Sequence, residues 1–363
     1  MANRVFNFSP GPATLPLPVL ERLAERVREY DDLGMSLIEM SHRSKQFQGI
    51  LEDTKALLAE LLVIPSNYKI FFAQGGASLQ FAMLPMNLLS ADVGADYLIT
   101  GSWSKKALKE AKRFGPVRVA ATTEEDGMFR RIPTQGELSL DPNAAYVHLT
   151  SNNTIFSTQF DEFPDTGGVP IAADMSSDIL SKPLDISKFG FIYAGAQKNL
   201  GPAGVTVCII SDELLARCSR DVPTMLSYHT FVEKDSLFNT PPVFAIYAVL
   251  ETLRWVKENG GLEAMRALNE EKGRLLYGIM DEMPAFYRGT ADKESRSLMN
   301  VAIRLPNEEL EKRFIAEAAE AGFVNLKGHR SVGGVRVSMY NALPLEGISG
   351  LVNFMRTFAR NNG

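Results

Sequence analysis

The chain has 363 residues, 45% of them apolar and 22% charged, and its 38 Lys and Arg against 43 Asp and Glu leave a formal charge of −5. This composition excludes a disordered chain, which could not bury enough apolar surface to offset its conformational entropy, and the 28 glycines follow no three-residue period, which excludes a collagen-like helix. The mild negative charge speaks against a dedicated nucleic-acid binder, which needs a basic face, yet it leaves room for a locally basic pocket and a small anionic substrate.

The length fits roughly two or three domains. Residues 10–18 form a proline-containing extended arm, followed by amphipathic helices over 20–30 and 47–63. Strands and helices then alternate: a strand over 68–73, a helix over 76–89, a strand over 96–100 and a helix over 104–113. Short apolar runs at 117–120, 145–149, 169–173, 191–194 and 205–210 suit strands of a mostly parallel sheet covered on both faces. The alternation predicts an α/β domain. From Pro241 to about Met280 the pattern is helical, broken at Gly260-Gly261, and a strand, helix, strand and final helix from Leu345 complete a smaller α+β domain. The uncharged stretch 70–91 is too polar, with Gln74, Gln80, Pro85 and Asn87, for a membrane span. The first twenty residues lack the apolar centre of a secretory leader. Cys208 and Cys218, with no metal-ligand spacing, fit a reducing cytoplasm.

The common cofactor and hydrolase signatures are missing. There is no G-x-G of a dinucleotide site, no Walker loop, no H-E-x-x-H or Cys/His cluster for a metal, and no G-x-S-x-G elbow. Five subtler features remain. Gln74-Gly75-Gly76-Ala77-Ser78, between a strand and a helix, can present free N–H groups to an anion, although a plain turn has the same look. Asp174 ends an apolar strand, where ligands bind in α/β sheets, although helix caps are also commonly Asp. Lys198, in 194-AGAQKNLGPAG-204, sits among small residues between two strands. A lysine in so dry a place can have a lowered pKa and form a Schiff base. Two of the four histidines directly precede arginines, His42-Arg43 and His329-Arg330, and the second pair lies in a glycine-rich basic loop that ends on Arg336. Such a loop suits anionic groups; chance dipeptides on solvated loops are the alternative. Trp103, after a strand end, can cover a flat cofactor or simply fill core.

Taken together, SPGPATLP near the start, SHRS at 41–44, AADMSSDI at 172–179, AGAQKNLGPAG at 194–204, FNTPP at 238–242 and KGHRSVGGVRVSMYNALPLEG at 327–347 resemble the phosphoserine aminotransferase family. These are fold-type-I, pyridoxal-phosphate enzymes of the class-V aminotransferases. The resemblance implies a large cofactor-binding domain over 16–265 and a small domain over 266–363 joined by the arm 1–15. Lys198 would hold the cofactor as an internal aldimine. Asp174 would pair with its pyridinium nitrogen, Trp103 would stack on the ring, and Thr154 would lie near the ring's phenolic oxygen. Gly76, Ala77 and Gln197 would hold its phosphate, and Asn239 and Thr240 would reach it from the neighbouring subunit of a homodimer. The implied reaction is L-glutamate plus 3-phosphohydroxypyruvate to 2-oxoglutarate plus O-phospho-L-serine, in two half-reactions with Lys198 moving the proton. Arg336 would bind the α-carboxylate, and His42, Arg43, His329 and Arg330 the substrate phosphate or glutamate's side-chain carboxylate. Some members carry an arginine after the glycine pair; this chain has Ala77 and Ser78 there, which shifts phosphate binding toward Arg43 and Arg330. The phosphorylated hydroxythreonine of pyridoxal-phosphate synthesis is a further substrate of some bacterial members. A class-V enzyme with another substrate, or a non-catalytic phosphometabolite binder on the same fold, are the alternative expectations.

Overall fold

A computed structural model describes residues 4–363; Met1–Asn3, the first part of the expected arm, lie outside the described residues. A seven-stranded sheet runs in the order Tyr68–Ala73, Thr206–Ser211, Phe189–Gly195, Ile171–Asp174, Val147–Thr150, Ala95–Ile99, Val117–Thr122. The five strands from Phe189–Gly195 to Val117–Thr122 pair in parallel. Thr206–Ser211 runs antiparallel to both neighbours. The link from Gly195 to Thr206 holds no helix to cross back over the sheet, so the chain has to return in the opposite sense. The expected α/β class is what the chain adopts, with this one strand reversed.

Helices cover both faces, which is why the central strands are apolar throughout; all seven residues of Phe189–Gly195 are buried. On one face Lys45–Leu62 and Val243–Glu258 pack together. The first buries Phe47, Ile50, Leu51, Leu57 and Leu58, the stripe expected of a helix with one apolar side, against Ile192, Val207 and Ile209 of the sheet. On the other face Gly76–Leu88 and Ser102–Ala111 bury Phe81, Leu84 and Ala107 against Tyr97, Ala172 and Phe191. Among the described residues no helix is long and apolar enough to cross a membrane.

The remainder forms a second core. A three-stranded antiparallel sheet of Arg288–Gly289, Asn300–Arg304 and Val335–Ser338 packs against helices Glu308–Glu320 and Leu345–Asn362. Helix Gly261–Glu282 belongs to both halves: Leu262 and Met265 enter the core of the large sheet, and Leu276, Ile279 and Met280 enter the second core. The N-terminal strand Phe6–Asn7 pairs in parallel with Phe323–Val324, and Phe8 is buried in the second core.

A buried polar bridge ties the halves together. Asn199, next to Lys198, donates to the carbonyls of Ser177 (3.3 Å) and Ile179 (3.2 Å) and accepts from the Asn341 backbone N–H at 3.0 Å. Asn341 donates to the Leu180 carbonyl at 2.8 Å and accepts from Asn269 at 2.8 Å. Lys272, fully buried on the shared helix, donates to the carbonyls of Met339 (2.9 Å) and Tyr340 (2.8 Å). Buried groups that lose a partner cost far more than the bond is worth in water. Asn341→Ala leaves the Leu180 carbonyl and one N–H of the Asn269 amide unpaired, and we expect it to lower the unfolding free energy by about 2–3 kcal/mol. Denaturant titration checks this: the midpoint should fall with the slope unchanged.

Candidate active site

The predicted residues converge on one edge of the seven-stranded sheet, where the parallel strands end. Gly76 and Ala77 follow Tyr68–Ala73, Trp103 follows Ala95–Ile99, Thr154 follows Val147–Thr150, Asp174 closes Ile171–Asp174, and Gln197 and Lys198 follow Phe189–Gly195. The two glycines make the first turn possible. Gly75 has φ +83°, and a Cβ there would lie 2.6 Å from the Leu79 Cβ, so neither the conformation nor the space admits a side chain. Helix Gly76–Leu88 then starts with its N–H groups free, and no atom lies within 4 Å of the position a Gly76 Cβ would take.

Asp174 is 6% exposed. Its Oδ1 accepts from the Ser176 backbone N–H at 3.0 Å and from the Ser176 hydroxyl at 2.6 Å. Ser176 Oγ in turn accepts from the Gly195 N–H at 3.0 Å. Ser176 thus fixes the carboxylate between the two strands, with Oδ1 spent and Oδ2 unpartnered among the described residues. Burial pushes the Asp174 carboxyl up from its ordinary value, while Lys198 and then Ser176 pull it back.

Lys198 is half-buried, and its Nζ makes no hydrogen bond or ion pair among the described residues. Burial pushes its amine down; the charges of Asp174 and Asp178 oppose that, and Arg336 adds to it. Gly11 packs on it: a Cβ at Gly11 would lie 3.5 Å from Lys198 Cγ and 3.7 Å from Gln197 Cγ, and Gly11 has φ +145°. Ala13 N–H donates to the Gln197 carbonyl at 2.9 Å. The N-terminal arm therefore walls the lysine.

Trp103 Nε1 donates to Thr154 Oγ1 at 3.0 Å, and Lys198 Nζ lies 5.7 Å from the Trp103 ring centroid. Arg336 Nη1 is 3.5 Å from the Thr154 carbonyl, whereas its Nε is buried with no partner. Burial pushes the Arg336 guanidinium down. His329 accepts from the Ser331 N–H on Nδ1 at 3.2 Å, which puts its proton on Nε2. Burial, and after it the charges of Arg336, Arg330 and Lys106, holds the imidazole below its usual range.

The other expected residues lie apart. His42, half-buried, and Arg43, exposed, make no side-chain hydrogen bond or ion pair with the residues around Lys198 among those described. Thr240 is exposed and its carbonyl is 3.5 Å from Gln74 Nε2 of the same chain; Asn239 is half-buried beside it. Both pairs precede helices that pack together, Lys45–Leu62 and Val243–Glu258. The ion pairs Arg254–Asp53 and Lys257–Glu60 step along both helices in the same sense, so the two pairs lie at the same end.

Sequence reasoning passed over Ser176, Gly11, Asp178 and Lys106. Asp178 accepts from Ser151 and from Gln159 (3.2 Å), and burial pushes its carboxyl up to about 6. The serine pair in Asp174-Met175-Ser176-Ser177 and the glycine between Pro10 and Pro12 were the available signals. The residues suit pyridoxal phosphate. An unpaired amine meets an aldehyde, an unpartnered Oδ2 meets a pyridinium N–H, an indole covers a flat ring, and an open helix start meets a phosphate.

The chain matches the family model described as aminotransferase class-V over residues 5–351. It is 56% identical to the phosphoserine aminotransferase of Desulfosudis oleivorans over the whole of both chains. It is also similar to the solved phosphoserine aminotransferase of Bacillus circulans subsp. alkalophilus, with 52% identity, a TM-score of 0.97 and full coverage of both chains. The pyridoxal-phosphate-bound phosphoserine aminotransferase of Trichomonas vaginalis covers 97% of this chain and all of its own, with 38% identity and a TM-score of 0.93.

In the cofactor-free protein we expect the Lys198 amine to titrate below 10.5, the value for a free lysine. Asp174→Asn removes the nearest anion favouring the ammonium, so it should move that titration lower still. The pH dependence of aldehyde modification at Lys198, followed by mass spectrometry, reads both shifts.

Proposed function

Because the chain belongs to the phosphoserine aminotransferase family of class-V aminotransferases, we propose that it transfers the amino group of L-glutamate to 3-phosphohydroxypyruvate, giving 2-oxoglutarate and O-phospho-L-serine. The observation that carries this reading is the unpaired Lys198 amine under the opposing charges of the buried Asp174 and of Arg336, whose buried Nε has no partner among the described residues. Bound pyridoxal phosphate supplies the carbonyl that the amine needs and a ring that accepts electrons from the substrate's Cα–H bond.

The chain's own residues do the rest. Asp174 holds an N–H at Oδ2 and keeps it charged. Gly76 and Ala77 N–H groups, with Gln197, receive a phosphate. Trp103 covers one side of the site and is held at its angle by Thr154. Lys198 Nζ, whose hold on a proton burial weakens, takes the proton from the donor's Cα in one half-reaction and returns a proton to Cα in the other. Arg336 receives the α-carboxylate common to both substrates, and His329 and Arg330 receive the distal anion. The same distal pocket suits the phosphorylated hydroxythreonine as a further substrate. We further propose a homodimer in which the shared end of helices Lys45–Leu62 and Val243–Glu258 brings Asn239 and Thr240 to the cofactor phosphate of the neighbouring copy, with His42 and Arg43 beside them.

The test is optical. The visible absorption of the cofactor-loaded protein should change with L-glutamate and return with 3-phosphohydroxypyruvate. Recovery only with some other keto acid would keep the chemistry and discard the substrate. Lys198→Ala should abolish both half-reactions while the protein stays folded by circular dichroism. Arg336→Met should raise KM for both substrates about tenfold or more, the worth of a charge-assisted hydrogen bond.

A further inference from the structure

We propose that Lys106 is a specificity-determining residue of this site: with His329 and Arg330 it binds the distal anion of the substrate. This rests on the aminotransferase reading above and adds to it a cation that neither the sequence motifs nor the reading assigns.

Lys106 stands one helical turn after Trp103 on Ser102–Ala111, so both side chains leave the same side of the helix. Its Nζ is 4.1 Å from the Trp103 ring centroid, the same indole that Lys198 Nζ approaches to 5.7 Å. The neighbouring Lys105 is committed elsewhere, paired with Glu124 and lying over the Phe129 ring. Lys106 is exposed and forms no ion pair among the described residues. Its charge reaches His329, where it acts together with those of Arg336 and Arg330.

The charges of Arg336, Arg330 and Lys106 all act on one imidazole, and among the described residues no carboxylate is seen to offset them there. Like charges brought together raise the energy of the empty site. A bound dianion removes that cost, so the arrangement favours a phosphate over a neutral hydroxyl at the same position. The turn after Gly76 adds no charge, because Ala77 and Ser78 stand there. Lys106 thus lies nearer the covering indole, at 4.1 Å, than Lys198 does at 5.7 Å.

The experiment compares 3-phosphohydroxypyruvate with hydroxypyruvate in the cofactor-loaded wild type, Lys106→Met and Lys106→Arg. Methionine keeps the length and the apolar contact with Trp103 and removes the charge. We expect Lys106→Met to lose about tenfold in kcat/KM on the phosphorylated acid, mostly through KM, as befits one charge-assisted contact. Its kcat/KM on hydroxypyruvate and its cofactor absorption should stay as in the wild type, and competitive inhibition by inorganic phosphate should weaken in parallel. Lys106→Arg should restore most of the preference. Equal loss on both keto acids would overturn the proposal in favour of a purely structural contact with Trp103. An unchanged Lys106→Met, in a wild type that does prefer the phosphorylated acid, would overturn it while leaving the aminotransferase reading intact. A wild type that turns over both acids equally would sink the phosphate-pocket reading and this inference with it.

Discussion

Everything in this site depends on keeping a lysine amine beside a buried carboxylate without letting the two bond. A contact ion pair would lock Lys198 as an ammonium and remove its lone pair. Ser176 fixes the carboxylate instead, engaging Asp174 Oδ1 twice and accepting from the Gly195 N–H, and among the described residues no bond joins that carboxylate to Lys198. The carboxylate is therefore held by the strand edge, and it acts on the lysine only through space. Burial pulls the amine toward neutrality, and Asp174 and Asp178 limit how far. The two influences oppose each other, so the amine's state follows from small distances, and those distances follow from strand register: Asp174 lies directly opposite Tyr193 on the strand that leads to Lys198.

The same economy explains the second sheet. Arg336 belongs to strand Val335–Ser338, in the other core, yet it has to face Lys198. Asn341, a few residues beyond Arg336, is bonded to Asn199, the residue after Lys198. Lys272 holds the carbonyls between them. A polar bridge buried at an interface tolerates few alternative arrangements, because any slip leaves groups unpaired. It sets the separation of amine and guanidinium more tightly than apolar packing would.

Much of this was legible before any coordinates. The alternation of short apolar runs with amphipathic helices dictates an α/β sheet, and strands at 68–73 and helices at 76–88 and 345–362 fall within a residue or so of expectation. The reversal of Thr206–Ser211 was not legible, because an apolar run covered on both faces has no direction written into it. Gly11 was hidden for a different reason: its partner is nearly two hundred residues away, and the need for a missing side chain appears only where Lys198 passes. Ser176 and Lys106 are short-range features that needed a register and a helix phase to acquire meaning. His42 and Arg43 stand out by residue type as candidate anion binders, but nothing in a linear pattern says where they lie relative to Lys198.

A chain with net charge −5 that binds two anionic substrates must separate its charges in space. Part of that separation comes from pairing surface cations with acids along its helices, as in Arg266–Glu270, Arg274–Glu271 and Arg313–Glu317. Such exposed pairs add little stability, but they silence cations elsewhere. Arg336, Arg330, His329 and Lys106 form no ion pair among the described residues, so their charge is available at the mouth of the site. Ion pairing along the helices and its absence around Lys198 are then complementary: the cations at this end of the sheet keep their charge available for an anion.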